Sequence, residues 1–298
     1  MIPQQLQRAL EEDIHAAPPG KTRYLMVLID MAQLSEAQRH KIHRDMAGQL
    51  HPLLQHPELL SLQPLGAMLA GPDNSSHAAL DRLLSVAGLY DVDLVQAWIT
   101  SALSPADLAT HLNHASFAQG DNGDRYLLRY YDPLITPVLY RNADRAWVAS
   151  VFAPVVSWWF LGADVKQPQW HCIPGSAHAP SLPPGPLALT DTLWSALTGD
   201  PFPHRLLHEL EQASPDVFSS TCRGVRLAQI RAHLASAKQI GLARHEDLVA
   251  FVLMSLSRSA ASLQTDPVWQ TALHRAARGE APLAATAPAS VIRDKAAS

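Results

Sequence analysis

Apolar positions recur along this chain with two periods, and the periods mark out its elements. Leu6, Leu10 and Ile14 repeat every four residues, which predicts an amphipathic helix over residues 3–16, closed by Pro18, Pro19 and Gly20. Residues 24–29 form an apolar run of strand length and read as a strand buried on both faces. Ser35 with Gln38 makes a capping-box pattern, so a helix is expected from there to about Leu50. Pro52, Pro57 and Pro64 interrupt the next section, and residues 65–69 read as a strand ended by Gly71 and Pro72. Asn74 or Ser75 can cap a helix through Leu80, Leu83 and Leu84 to Ala87, and residues 91–100 alternate in part and read as a strand.

The chain is organised around residues 99–160. Ser104 is a good N-cap, with Pro105 at the first helical position and Asp107 near the positive end of the helix. Tyr126 to Tyr131 (YLLRYY) is the most strand-like run in the protein. The turn signal Asp121-Asn122-Gly123 precedes it and Asp132-Pro133 stops it, so it is expected to form a central strand. Helices are predicted over residues 133–141 and 143–152, and a strand over 155–160.

Residues 162–187 change character. Pro168, Pro174, Pro180, Pro183, Pro184 and Pro186 stand among Gly and Ser, a composition expected to continue neither sheet nor helix. This stretch divides the chain into an α/β domain over residues 1–161, a proline-rich linker or draped loop over 162–187, a helical lobe over 188–281 and a disordered tail over 282–298. Trp170 argues for docking of the loop, since so large an aromatic side chain favours burial. The helical lobe is read from four runs, around Leu206–Ala213, Val225–Ala237, Leu248–Leu256 and Trp269–Ala276. The fold class expected is α+β: an α/β-like N-terminal lobe with a small mixed sheet flanked by helices, then an all-helical lobe.

Composition narrows the function classes. The chain has 298 residues, 47% hydrophobic and 17% charged, with a formal net charge of -4, which gives no basic footprint for nucleic acid. No run of about 18 apolar residues occurs, so no membrane span is expected. Glu11, Glu12 and Asp13 stand where a secretion signal would need an apolar core. Two cysteines, Cys172 and Cys222, make no disulfide framework and read as free thiols in a reducing cytoplasm.

Candidate chemistry is sparse. His40 with His43, and His111 with His114, sit at i, i+3 on expected helices, but no HExxH pattern or nearby carboxylate completes a metal set, and no metal or cofactor is expected. There is no GxSxG elbow and no phosphate-cradling glycine motif. His171 and Cys172 are adjacent in an extended stretch, where neighbouring side chains point apart. Asp30 and Asp132 each follow an expected strand, a common place for functional carboxylates. Arg129, on the strand of Asp132, can pair with a carboxylate and tie two strands together; Asp132 can instead cap the helix starting at Pro133. Trp158 and Trp159 are consecutive, so on a strand one faces the core and the other is free to meet a second lobe or a partner. Tyr24, Asp30, Arg129, Tyr131, Asp132, Trp158, Trp159 and Trp170 are the partner-binding or scaffold candidates, and no catalytic residue is assigned. An alternative is a small α/β, hydrolase-like enzyme using Asp30 or Asp132 in a cleft between the lobes.

A run of residues also carries a resemblance. Ser101, Ser104, Leu108, His111 and Leu112 precede Leu128, Arg129, Tyr130, Tyr131, Asp132 and Pro133, and Phe152, Pro154 and Trp158 follow. Together with Tyr24 to Ala32 (YLMVLIDMA), these resemble the effector-chaperone (adaptor) family of bacterial type VI secretion systems. Met31 stands where that family usually has Gly, and Gly71-Pro72-Asp73-Asn74 replaces its Gly-Pro-Trp strand. The resemblance covers about residues 20–160. It implies a cytoplasmic, non-enzymatic adaptor that binds a toxic effector protein as cargo and loads it onto a VgrG or PAAR spike protein. Because the matching residues all precede residue 161, the helical lobe is expected to set the choice of cargo.

Overall fold

The structure, a computed structural model, describes residues 3–72, 83, 95–121, 123–163, 168–179, 182–220, 223–258 and 260–283. Outside them lie most of the helix expected over residues 74–87, the start of the strand expected at 91, Asn122 of the expected turn, Cys222 and the tail from residue 284. The protein is of the α+β class. Its contacts divide the chain into two compact units, Met1–Gly162 with Gln169–Gly199, and Ala163–Pro168 with Asp200–Ser298.

The first unit is built on a six-stranded sheet. Its strands are β1 (Tyr24–Asp30), β2 (Leu50–Pro52), β3 (Ala67–Ala70), β4 (Val95–Ser101), β7 (Val155–Ala163) and β8 (Pro168–Pro174), in the order β2-β3-β1-β4-β7-β8. The pairs β2/β3, β3/β1, β1/β4 and β4/β7 are antiparallel. β1 is buried on both faces, as its unbroken apolar run predicts. Leu25, Val27 and Ile29 pack with Leu6 and Leu10 of helix α1 (Gln4–His15) and Ile42 of helix α2 (Glu36–Asp45). Met26 and Leu28 face the opposite cluster. There they meet Leu108 and Leu112 of α3 (Pro105–Asn113), Leu139 of α4 (Thr136–Asn142) and Trp147 and Val151 of α5 (Arg145–Val151). Ser104 caps α3 and Ser35 closes the expected capping box of α2.

A second sheet, order β6-β5-β9, joins β5 (Phe117–Gly120), β6 (Arg125–Leu127) and β9 (Leu187–Leu189), with β5/β6 antiparallel and β5/β9 parallel. Helix α6 (Asp191–Thr198) follows β9 and buries Leu193 in the same core.

Three expectations need correction. Tyr126 to Tyr131 is not a central strand: β6 ends at Leu127 and lies at the edge of the smaller sheet. Leu128 still donates its N–H to Ser116 O at 2.8 Å, but Asp132 N then bonds Arg129 O at 3.0 Å and closes a turn. The aromatic residues of the run serve burial in that turn rather than pairing: Tyr130 and Tyr131 are both in the core. The proline-rich stretch does hold sheet. Pro168 and Pro174 stand at the two ends of β8, an edge strand, where a missing N–H is tolerated, and β9 follows Pro186. The helix expected to reach Leu50 stops at Asp45, and residues Pro57–Leu65 form a 3-10 helix.

The second unit is helical: α7 (Phe202–Ala213), α8 (Arg223–Ile240), α9 (His245–Ser257), α10 (Ala260–Thr265) and α11 (Pro267–Ala277). Four of these correspond to the four apolar runs; the short α10 adds a fifth. Phe251 of α9 stacks on Trp269 of α11 with ring centroids 6.2 Å apart. Asp247 is fully buried and accepts from Arg244 Nε at 2.8 Å and from Leu283 N at 2.7 Å, which fastens the chain beyond α11 to the start of α9. Among the described residues, no helix is long and apolar enough to cross a membrane.

Candidate functional site

β1 ends in Asp30, whose residue is only 1% exposed. Its carboxylate is engaged on every side: Oδ1 accepts from Ala32 N at 3.2 Å, and Oδ2 accepts from Gln33 Nε2 at 3.0 Å and from Arg129 Nη2 at 2.6 Å. Arg129 also stands 3.8 Å from Asp132 Oδ2 and lies 5.7 Å from the ring centre of Tyr131. Burial works against the charge on Arg129, but Asp30, Tyr131 and Asp132 outweigh it and hold the guanidinium above its ordinary value. Burial likewise raises Tyr131, opposed by Arg129, and raises Tyr130 further, where Tyr131 adds to it. Asp132 accepts from Leu134 N at 2.9 Å, the cap-like role that Pro133 suggested, while the helix itself starts later, at Thr136.

This node ties the end of β1 to the turn after β6. It has the build of a clasp: a buried carboxylate with three donors, one of them an arginine reaching it from the surface.

The other residues that carry the family resemblance are also internal fastenings. Ser101 Oγ donates to Pro154 O at 3.0 Å, and Ala102 N donates to the same oxygen at 2.8 Å. The His111 ring is buried with Nε2 3.1 Å from Val151 O, and burial lowers its pKa against the pull of the Val151 and Ser150 carbonyls. Its i, i+3 neighbour His114 is exposed, and repulsion from it adds to the lowering of His111. His40 lies near Glu36 on the exposed face of α2. Among the described residues, no group of three or more His, Cys, Asp or Glu side chains is placed to hold a metal ion.

The tryptophans divide as strand geometry requires. Trp158 is fully buried against Phe152, ring centroids 5.6 Å apart, while Trp159 and Trp170 pack half-buried against the cluster on the opposite sheet face. Tyr24 packs against the Trp158 side. Ser157, next in the strand, donates to Asp13 and fastens α1 to β7. His171 stacks on Phe160, and Cys172 beside it is exposed as a residue, while the packing around its sulfur pushes the thiol up to about 11, with Asp13 adding to the rise.

Sequence reasoning missed the exposed apolar surface. Leu60, Leu62 and Leu65 on the 3-10 helix are each more than two-fifths exposed, as are Leu127 on β6 and Trp194 on α6. The Trp194 ring lies 5.1 Å from that of Tyr126, itself exposed. Arg125 links the two areas: it covers the Phe117 ring at 4.2 Å and reaches Glu58 at 3.6 Å, at the start of the leucine-bearing 3-10 helix. The only sequence signal was a leucine-rich stretch between Pro57 and Pro64 with no period of its own.

Comparison with known proteins gives a match to a family model. Residues 25–148 match the model of a family described as domain of unknown function (DUF4123). Neither a curated protein nor a solved structure matches the chain. The matched span runs from the second residue of β1 into α5 and contains both halves of the Asp30–Arg129 clasp.

Proposed function

We propose that this protein is a cytoplasmic adaptor of a type VI secretion system, which binds a toxic effector protein and hands it to a VgrG or PAAR spike protein without catalysing a reaction. The observation that carries the reading is the match of residues 25–148 to a family known in the setting of such effector adaptors. Two features of the molecule support it. The residues of the resemblance are fastenings of the scaffold: Asp30 with Arg129, Ser101 with Pro154, His111 with Val151. And the first unit carries exposed apolar side chains, at Leu60, Leu62, Leu65, Tyr126, Leu127 and Trp194, of the kind that marks protein-binding surface. The second unit has none of the matched residues, and its proposed part is the choice of cargo.

The test is capture of partners by the tagged full chain from the native bacterial cytosol, read by mass spectrometry. One toxin-like protein in stoichiometric amount, with or without a spike protein, is the expected result. Absence of any stoichiometric partner in gentle salt counts against the reading.

A further inference from the structure

The sheet edges of the first unit are not alike. β2 ends in Pro52, β8 begins and ends in proline, and β9 is preceded by Pro186, the devices by which proteins blunt an edge against pairing with another chain. β6 has no proline, no lysine and no register break in its pairing with β5. All three of its residues are exposed.

Its hydrogen-bonding groups can be assigned from the ladder. Leu128 N donates to Ser116 O, and Gly120 N donates to Asp124 O, at 2.8 and 2.9 Å. With the register Phe117↔Leu127, Ala118↔Tyr126 and Gln119↔Arg125, the bonded pairs are the even-numbered ones. Tyr126 therefore turns its N–H and C=O toward β5, whereas Arg125 and Leu127 turn theirs outward. No strand among the described residues lies on that side.

We propose that this edge accepts an extended segment of the cargo protein as a fourth strand, so that the adaptor holds its cargo by β-strand addition. The proposal rests on the adaptor reading for the identity of its occupant. The side chains define the segment's chemistry. Tyr126 meets Trp194 on one face. Asp124 stands two residues before Tyr126, on the same face, and Asp191 stands one helical turn before Trp194. An apolar residue opposite Tyr126, flanked two positions away by lysine or arginine, complements that face in shape and charge. On the other face Leu127 calls for a second apolar residue, while Arg125 is already paired with Glu58. Main-chain bonds tolerate many sequences, which suits a common grip on cargo that another part of the molecule selects.

The test uses the full chain and amide hydrogen exchange read by NMR. The probe is the peptide acetyl-Thr-Lys-Thr-Val-Val-Val-Thr-amide at millimolar concentration. Its addition is expected to slow exchange at Arg125 and Leu127 by about tenfold or more and to leave the Tyr126 amide, already bonded, unchanged. The same peptide N-methylated on alternate residues, which keeps every side chain, is expected to give no protection. Protection by both peptides, or by neither, overturns the proposal, as does protection that grows with protein concentration alone, which would give the edge to a second copy. Leu127→Pro removes an outward N–H and leaves the ladder to β5 in place, a point checked by the retained Tyr126 amide. If it captures cargo as well as the native chain does, strand addition fails and the adaptor reading stands. If neither chain captures cargo, the adaptor reading itself fails.

Discussion

Arg129 Nη2 lies 2.6 Å from Asp30 Oδ2 across 99 residues of sequence, and this contact joins the two blocks that carry the family resemblance. Arg129→Met leaves a buried carboxylate with only Ala32 N and Gln33 Nε2 as donors. Breaking a buried pair costs about 3–5 kcal/mol, and the half-exposed arginine places the expected loss near the lower end, about 3 kcal/mol. Asp30→Asn keeps an acceptor and removes the charge, so a smaller loss of about 1–2 kcal/mol is expected. Urea unfolding of both variants and the double variant measures the coupling. An Arg129→Met midpoint equal to that of the native chain would show that the contact holds nothing together.

His111 makes stability depend on pH. In the unfolded chain its imidazole titrates at its ordinary value of 6.5, whereas burial keeps the folded ring neutral to lower pH. Below about pH 6.5 the unfolded chain therefore binds more protons, and stability falls until the folded ring itself titrates. His233, also lowered by burial, acts in the same direction. His111→Gln, which can still donate to the Val151 carbonyl, is expected to lose less stability than the native chain as the pH falls below about 6.5. Equal slopes in unfolding curves across that range would remove His111 from the account.

Two glycines separate steric need from conformational need. A Cβ on Gly175 would stand 2.2 Å from Val155 O and 2.3 Å from Phe152 O, both backbone atoms that hold the start of β7. Gly175→Ala is expected to cost roughly 2–3 kcal/mol through forced displacement of that backbone. A Cβ on Gly123 would meet nothing within 4 Å, but its φ of +84° strains any L side chain. Gly123→Ala is expected to cost about 1 kcal/mol. Thermal unfolding ranks the two, and the reverse order would contradict the packing described for the β7 start.

We propose that cargo choice lies in the second unit. Exchange of residues 200–283 between this protein and another adaptor of the same kind is expected to carry cargo preference with the exchanged helices, as read by competitive capture. Preference that stays with the first unit would reverse the assignment.

The sequence made the scaffold legible where one physical signal acted alone. β1 showed as an unbroken apolar run, α2 and α3 as capped amphipathic segments, and Trp158 and Trp159 as consecutive strand residues on opposite faces. It misled where a residue's local preference served tertiary contact. The aromatic and apolar content of residues 126–131 looked like strand, yet Tyr130 and Tyr131 are buried in a turn and Arg129 bonds a residue of a distant strand. Proline content hid β8 because the prolines stand at its ends, on an edge strand, where a missing N–H is tolerated. That β6 has no strand beside its outer side among the described residues had no sequence signature at all, since strand order is a property of topology.

We propose that this protein loads one cargo rather than building the secretion machine or catalysing a reaction. The most direct test is deletion of the gene in the native bacterium, followed by mass spectrometry of the secreted proteins. The account predicts that one effector disappears from the medium while the tube and spike proteins are still released. Loss of the whole secreted set would make the protein a component of the machine, and an unchanged set would contradict the adaptor reading outright.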